Sequence, residues 1–515
     1  MEKNDNFNRT YPLPGFVLLL IITIVPTLVA VAFGFIALPK IQSSQNILMT
    51  MAYSAILALG CSLASIILGL PGAYLFTSYK FPLKSFFIWL FALVLFLPTT
   101  VLALFPQVLI GESGLLSLKL GKVVDIPYPW LKTGIVLTLF NVPEVIILIS
   151  LWWSRIDNSI EKCASTLGIK KSSAFRHLTM PRLRPAIFGA TSIVFLRSLS
   201  SMAVVMTTAC GTPFINSASQ IFNYAAAGDI DSAGVLALLT LLLSIVVAIP
   251  FISTISNSDL IANGGARAAR KPSGLAAVGI LIYLLLAIAL LILPTVSIIY
   301  RSLIGEAGLT ISAYTRIFGG LEALALKPLT YSALIALSVA LVSTFMALRL
   351  TKSYTSLALF SFAIGSSVMG FGYSIISSKL TMVPGLLFAI LSHIAVTVPV
   401  AVIILLPFMK AIPESLIETS KTLGYSSAYS FRKIDRKLVG KRVIAAFLIS
   451  FIISFGEFGT SLFLKGKTLP VLIFSTAGTD LSAASAMASV LIVVCSLLFV
   501  IAASLLKSKE GEQSV

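Results

Sequence analysis

Charge is scarce in this chain. Of 515 residues only 11% are charged, while 57% are hydrophobic. A soluble fold needs polar surface to cover its core, and so little charge leaves too little of it. Histidine is almost missing, with only His177 and His393 present. A membrane-embedded enzyme would need convergent His, Asp, Glu or Cys clusters, and two histidines make such a centre hard to build. The four cysteines, Cys61, Cys163, Cys210 and Cys495, fit no zinc spacing or disulfide framework. They read as small packing residues. Acids are outnumbered, 19 against 37 lysines and arginines, for a net charge of +18.

What the chain does have is long apolar runs. Mean hydropathy is +1.01, and stretches of about 20 apolar residues recur, the length that crosses a hydrocarbon core as helix. An outer-membrane barrel is excluded, because its alternating strands read only weakly. The first run, 15–38, is too long for a signal-peptide core and is expected to be a retained helix. The expected fold is an all-α polytopic membrane protein. Its twelve transmembrane helices fall near 15–38, 49–76, 85–110, 133–153, 186–210, 233–255, 275–300, 329–349, 355–377, 386–409, 443–464 and 483–506.

The basic residues fall in alternate loops. Arg155, Lys162, Lys170, Lys171, Arg176, Arg182 and Arg184 crowd the connection 154–185. Lys410, Lys421, Arg432, Lys433, Arg436, Lys437, Lys441 and Arg442 crowd the connection 410–442. Lys80 and Lys84, Arg267, Arg270 and Lys271, Arg349 and Lys352, and Lys507 and Lys509 fall on the same side. The positive-inside rule makes that side cytoplasmic and puts both termini there. Residues 256–274 are polar and glycine-containing, and read as a cytoplasmic linker. Residues 1–255 and 275–515 are then two six-helix halves of the same topology, which makes them parallel repeats.

The halves repeat a register as well as a topology. Glu161-Lys162-Cys163-Ala164-Ser165-Thr166-Leu167-Gly168 and Ile417-Glu418-Thr419-Ser420-Lys421-Thr422-Leu423-Gly424 lie 256 residues apart. At the same offset Asn141-Val142-Pro143 maps onto Thr397-Val398-Pro399, and Phe195 and Ser198 onto Phe451 and Ser454. Matched prolines free backbone groups and can kink both helices. In the first loop Ile156, Ile160, Ala164 and Leu167 share one face of a short helix. Gly168 is placed to end it with a left-handed cap. Ser172 and Ser173 can cap a second short helix, which Pro181 should stop before the next span. A lone loop of this kind would read as an amphipathic connector lying on lipid. Two copies in register favour a docking role.

These motifs resemble the "EAA" loop of ATP-binding-cassette (ABC) importer permeases, the binding-protein-dependent inner-membrane components. That motif is Glu-Ala-Ala, three residues, then Gly, with a Leu-Pro further on. Lys162 replaces the first glutamate in the first copy, with Glu161 adjacent, and Met180-Pro181 stands for Leu-Pro. The second copy keeps Glu418, Ser420, Leu423 and Gly424 but has Lys437 in place of the proline. The resemblance covers the whole chain as two fused permease halves. It implies coupling helices at Glu161, Lys162, Ala164, Leu167, Gly168 and Pro181, and at Glu418, Ser420, Leu423 and Gly424. Its implied partners are two copies of a cytoplasmic ABC ATPase, which would bind ATP and Mg, and an extracytoplasmic solute-binding protein. The chain itself would need no cofactor and hydrolyse nothing. Phe455-Gly456-Glu457-Phe458-Gly459 resembles the Gly-acidic-Phe-Gly element of thiamine, sulfate and molybdate permeases. Thr468-Leu469-Pro470 is similar to thiamine permeases, as loosely are Cys210-Gly211-Thr212-Pro213 and Ile221-Phe222-Asn223-Tyr224. Thiamine is the expected solute, with ferric iron or another small solute as the alternative.

Glu144, Arg197, His393 and Glu457 fall inside apolar spans, where charge must face protein or water. Asn141, Glu144, Ser201 and Glu457 are candidates for lining the pathway of a cationic solute. The competing reading pairs Arg197 with a carboxylate and makes His393 a packing residue. Leu464-Lys465-Gly466-Lys467-Thr468 imitates the end of a P-loop, but Ser461 stands where the motif needs glycine. The main rival class is an ion-coupled secondary transporter with parallel repeats.

Overall fold

The computed structural model describes residues 13–40, 44–156, 159–209, 211–256, 270–305, 308–319, 324–350, 361, 364–410, 412, 414–425 and 436–506. Cys210, most of the linker with Arg267, the start of the 355–377 span with Lys352, Arg432 and Lys433, and Lys507 and Lys509 lie outside them.

The first half contains α1 (Leu13–Ala37), α2 (Ser44–Ser78), α3 (Lys84–Phe96), α4 (Thr99–Leu109), α5 (Leu115–Leu120), α6 (Pro129–Trp153), α7 (Ser159–Thr166), α8 (Lys171–Ala174), α9 (Met180–Leu199), α10 (Met202–Thr208), α11 (Ser217–Ala226) and α12 (Ile230–Ser256). The second contains α13 (Leu275–Ser302), α14 (Ser312–Phe318), α15 (Leu326–Leu350), α16 (Ser366–Lys379), α17 (Gly385–Lys410), α18 (Glu414–Thr422), α19 (Arg436–Phe455), α20 (Gly459–Phe463), α21 (Leu469–Ala477) and α22 (Leu481–Leu506). A two-residue hairpin, β1 (Ile304–Gly305) with β2 (Gly308–Leu309), follows α13.

Among the described residues nine helices are long and apolar enough to cross a membrane, or up to eleven if each bent pair counts as one span. The fold is therefore all-α and polytopic. The 85–110 span is a bent pair, α3 and α4, meeting at 96°. The 186–210 span is another, α9 and α10, at 53°. The 355–377 span is represented by α16, whose 14 residues rise only about 21 Å at 1.5 Å each. The chain's hydropathy marks these spans but not their direction changes.

The matched prolines do not divide their helices. Pro143 lies within the single helix α6 and Pro399 within α17. Around them the same neighbours recur in each half. Helices α2, α6 and α9 pack on one another, as do α15, α17 and α19. Helix α9 packs on α12, and α19 on α22. Contacts between the halves include α1 against α16 and α13 against α4.

The α1–α16 crossing shows how small residues and a proline make a joint. Pro26 lacks the N–H that would bond the Ile22 carbonyl one turn earlier. The Tyr373 hydroxyl on α16 donates to that carbonyl at 2.7 Å. Gly372 lets the backbones meet, since a Cβ there would lie 2.0 Å from the Pro26 oxygen. About two turns further along α1, Gly34 faces Gly234 of α12 with similarly little room.

Candidate functional site

Both polar loops carry a short helix closed in the same way. Gly168 has φ +76° and Gly424 φ +78°, the left-handed region that favours glycine. The residue after each glycine bonds back to the carbonyl five residues earlier: Ile169 N–H to Ala164 at 3.0 Å, and Tyr425 N–H to Ser420 at 3.1 Å. These bonds satisfy carbonyls that the helix end would leave open. Ala164 and Ser420, equivalent at the 256-residue offset, are 3% and 5% exposed and seat each helix on the bundle. Leu167 and Leu423, one turn on, are 79% and 67% exposed. Each loop thus offers a bare leucine beside a fixed turn, with Ile169 or Tyr425 exposed next to it. Leu167 does not share the buried face expected from its spacing, because the helix ends before it and the glycine turn swings it outward.

Beyond Gly168 the course differs from the sequence reading. Helix α8 starts at Lys171, so Ser172 and Ser173 lie in its first turn and do not cap it. Pro181 does not stop a helix. It sits in the first turn of α9, reached from α8 through a wide π-turn at Phe175–Thr179. A widened turn absorbs the bond that proline cannot donate. Glu161 accepts a hydrogen bond from the Thr179 hydroxyl, tying α7 to that π-turn. Thr179 carried no signal in the sequence. In the second loop Glu418 is exposed on α18.

The intramembrane polar residues fall into separate groups. Asn141 donates to Ser198 Oγ at 3.1 Å, joining α6 to α9. One turn away Arg197 Nη1 pairs with Glu144 Oε2 at 3.0 Å. The offset maps Glu144 and Arg197 onto Val400 and Ile453, so the second half replaces the ion pair with two apolar side chains. His393 is fully enclosed, with Nδ1 2.9 Å from Ser454 Oγ and Nε2 3.0 Å from Ser461 Oγ. It holds α17 to α19 and to α20. Thr397, the counterpart of Asn141, lies 2.6 Å from Ser343 Oγ.

Ser201 and Glu457 are equivalent at the offset and both stand at helix breaks. Glu457 Oε1 accepts the Thr460 N–H at 3.2 Å, at the start of α20. Ser201 precedes α10, and its carbonyl accepts from Asn216 Nδ2 at 3.2 Å. The fully buried Asn216 also bonds the Leu199 carbonyl and caps α11. It is a linchpin that hydropathy could not show. The breaks themselves meet across the halves. A Cβ on Gly365, before α16, would lie 2.7 Å from Ser200 Oγ, and one on Gly456 would lie 2.7 Å from Pro98, before α4. Three helix breaks and the start of α16 therefore meet in two pairs across the halves. The P-loop imitation lies between α20 and α21, in an open cleft with Lys327, Tyr331, Lys465 and Lys467.

No family model matches the chain. Curated relatives do. The sulfate transport system permease protein CysT of Salmonella typhimurium is 26% identical over 216 residues, 40% of this chain and 76% of its own length. The thiamine transport system permease protein ThiP of Brucella suis is 26% identical over 473 residues, 86% of this chain and 85% of its own length. A probable molybdenum ABC transporter permease of Haloferax volcanii is 23% identical over 169 residues, 32% of this chain and 61% of its own length. The apolar helices of the described residues fit a multi-pass membrane protein, as these permease relatives are. In its loops and in these relatives the chain is similar to the permeases of ABC importers, in the fused two-half form.

Proposed function

We propose that this chain carries thiamine inward, receiving it from an extracytoplasmic binding protein and using ATP hydrolysed by a separate ATPase. The full-length relative favours thiamine, since the thiamine permease matches over 86% of the chain and the sulfate permease over 40%. Two copies of the ATPase dock on the two polar loops, which face the cytoplasm with both termini. ATP and Mg belong to that partner, and this chain hydrolyses nothing. Residues 1–255 and 275–515 act as equivalent halves, a division supported by their recurring helix neighbours.

One observation carries the docking role: two glycine-capped helices, equivalent in register, each present an exposed leucine at the same place. An exposed leucine on a membrane-side connector is ordinary; a matched pair on matched turns fits two copies of one partner. Closure of the ATPase pair would push α7 and α18, and the helices flanking them would move as rigid bodies about the converging breaks. Ser201 and Glu457, at the breaks, are the pathway positions. Asn141 and Glu144 already hold protein partners and frame the pathway from behind. Glu457 offers a cationic solute its carboxylate.

The test uses the chain reconstituted in liposomes with its ATPase and binding protein. ATP-driven uptake of labelled thiamine is expected, with labelled sulfate and molybdate excluded. Gly168→Pro and Gly424→Pro cannot adopt positive φ and are expected to insert normally while hydrolysis continues without uptake. Normal coupling in both variants would overturn the docking role. Uptake driven by an ion gradient with no ATPase would overturn the ABC mechanism.

A further inference from the structure

The first polar loop is braced from the side of the linker. Just after the undescribed part of the linker, Arg270 is bonded to the end of α2 through its backbone. Its N–H donates to the Ser78 carbonyl at 3.1 Å, and its carbonyl accepts from Lys80 N–H at 2.9 Å. Its guanidinium lies 5.4 Å from the Tyr79 ring centre and 3.4 Å from the Tyr74 hydroxyl. From there aromatic rings run inward without a gap. Tyr79 meets Tyr74 edge-on at 6.0 Å, Tyr74 meets Trp153 at 5.6 Å, and Trp153 meets Phe175 at 5.8 Å. Trp153 is the last residue of α6, where the first polar loop begins, and Phe175 opens the π-turn within that loop. The Glu161–Thr179 hydrogen bond then joins the π-turn to α7. A second strap reinforces the first: the Tyr283 hydroxyl of α13 donates to the Leu68 carbonyl of α2 at 3.0 Å, and Tyr283 packs over Gly72.

We propose that Arg270 and this row of rings form a latch by which the segment joining the two halves holds the first docking loop in position. Cation–π and edge-to-face contacts are directional, and each fixes the next ring's angle. The row therefore transmits the placement of Arg270 to Phe175 as an orientation. At the 256-residue offset Trp153 becomes Met409, a flexible side chain that sets no such angle. The ATPase copy bound at the first loop then meets a pre-positioned helix. Arg270 is thus a positioning residue that acts through Tyr79, Tyr74 and Trp153. The inference rests on the docking role proposed for α7, but the latch itself is measurable without any ATPase.

The chain supplies its own probe, since Cys163 is exposed on α7. In full-length protein with Cys61, Cys210 and Cys495 replaced, a spin label on Cys163 reports the first loop. A label on Thr419→Cys, the counterpart position, reports the second. Arg270→Ala is expected to raise the mobile fraction at Cys163 about two- to fivefold, the equilibrium factor of one exposed cation–π contact. The label at position 419 should not change. Arg270→Lys, which keeps a cation over the ring, should restore much of the order, and Tyr79→Leu should reproduce the Arg270→Ala spectrum. An unchanged spectrum at Cys163, or equal loosening at both positions, overturns the latch. Adding the ATPase to unmodified chain separates the two ideas: failure to immobilise the Cys163 label would sink the docking role, whatever Arg270 does.

Discussion

Glu144 and Arg197 show how one half of a duplicated fold can carry charge that the other omits. Each alone would be an ion in hydrocarbon, costing about 2.5–3.5 kcal/mol on insertion scales. Together, at 3.0 Å, they neutralise each other between α6 and α9. Removing one partner from a buried pair costs about 3–5 kcal/mol, whereas replacing both with apolar residues is often neutral. The second half has already made that replacement, with Val400 and Ile453. Glu144→Val alone is therefore expected to lower the thermal midpoint sharply in detergent. The double variant Glu144→Val with Arg197→Ile should recover both the midpoint and uptake. Stability regained with uptake lost would instead make the carboxylate part of the solute path. His393 needs no such test of charge, because both ring nitrogens lie beside serine hydroxyls and the residue works as a crosslink.

At the scale of elements, the joint between α1 and α16 depends on the absence of a side chain at Gly372. A Cβ there would fall 2.0 Å from a backbone oxygen, and backbone cannot swing aside as a side chain can. Gly372→Ala is expected to cost about 1–3 kcal/mol, the usual range for overpacking, read as a lower thermal midpoint. Gly279→Ala, where nothing lies within 4 Å, should not lower it and serves as the control. An unchanged midpoint in Gly372→Ala would mean that α1 is free to shift against α16. The spans that make such joints were legible in the sequence, because a run of apolar residues reports burial in lipid whatever its neighbours are. The glycine turns at Gly168 and Gly424 were legible too, since a repeated glycine after a helical pattern has a local cause. The 96° bend before α4 was not. The chain is apolar on both sides of Leu97-Pro98, and Gly456 from the other half packs at the bend. Thr179, Asn216 and the ring row from Tyr79 to Phe175 were hidden because their contacts depend on how neighbouring elements fold back on one another, which composition does not mark. Pro181 misled because a local rule was applied where a π-turn had changed the local geometry.

For the whole molecule, the crossing of first helices between halves has a consequence. Helix α1 packs on α16 and α13 on α4, so each half grips the other through its opening helix. The helix breaks add two more contacts across the same boundary, Gly365 with Ser200 and Gly456 with Pro98. A covalent linker then raises the effective concentration of one half around the other without being the chief source of specificity. Cutting the chain between Gly264 and Gly265 leaves Arg270 on the second fragment, where its bonds to Ser78 and Lys80 can still form. Co-expressed fragments 1–264 and 265–515 are expected to copurify through a tag on either one and to support ATP-driven uptake. Adding Gly372→Ala to the split pair should release one fragment from the other, although the same substitution in the fused chain only lowers its stability. Fragments that fail to copurify without that substitution would show that the linker, and not the crossed helices, holds the halves together.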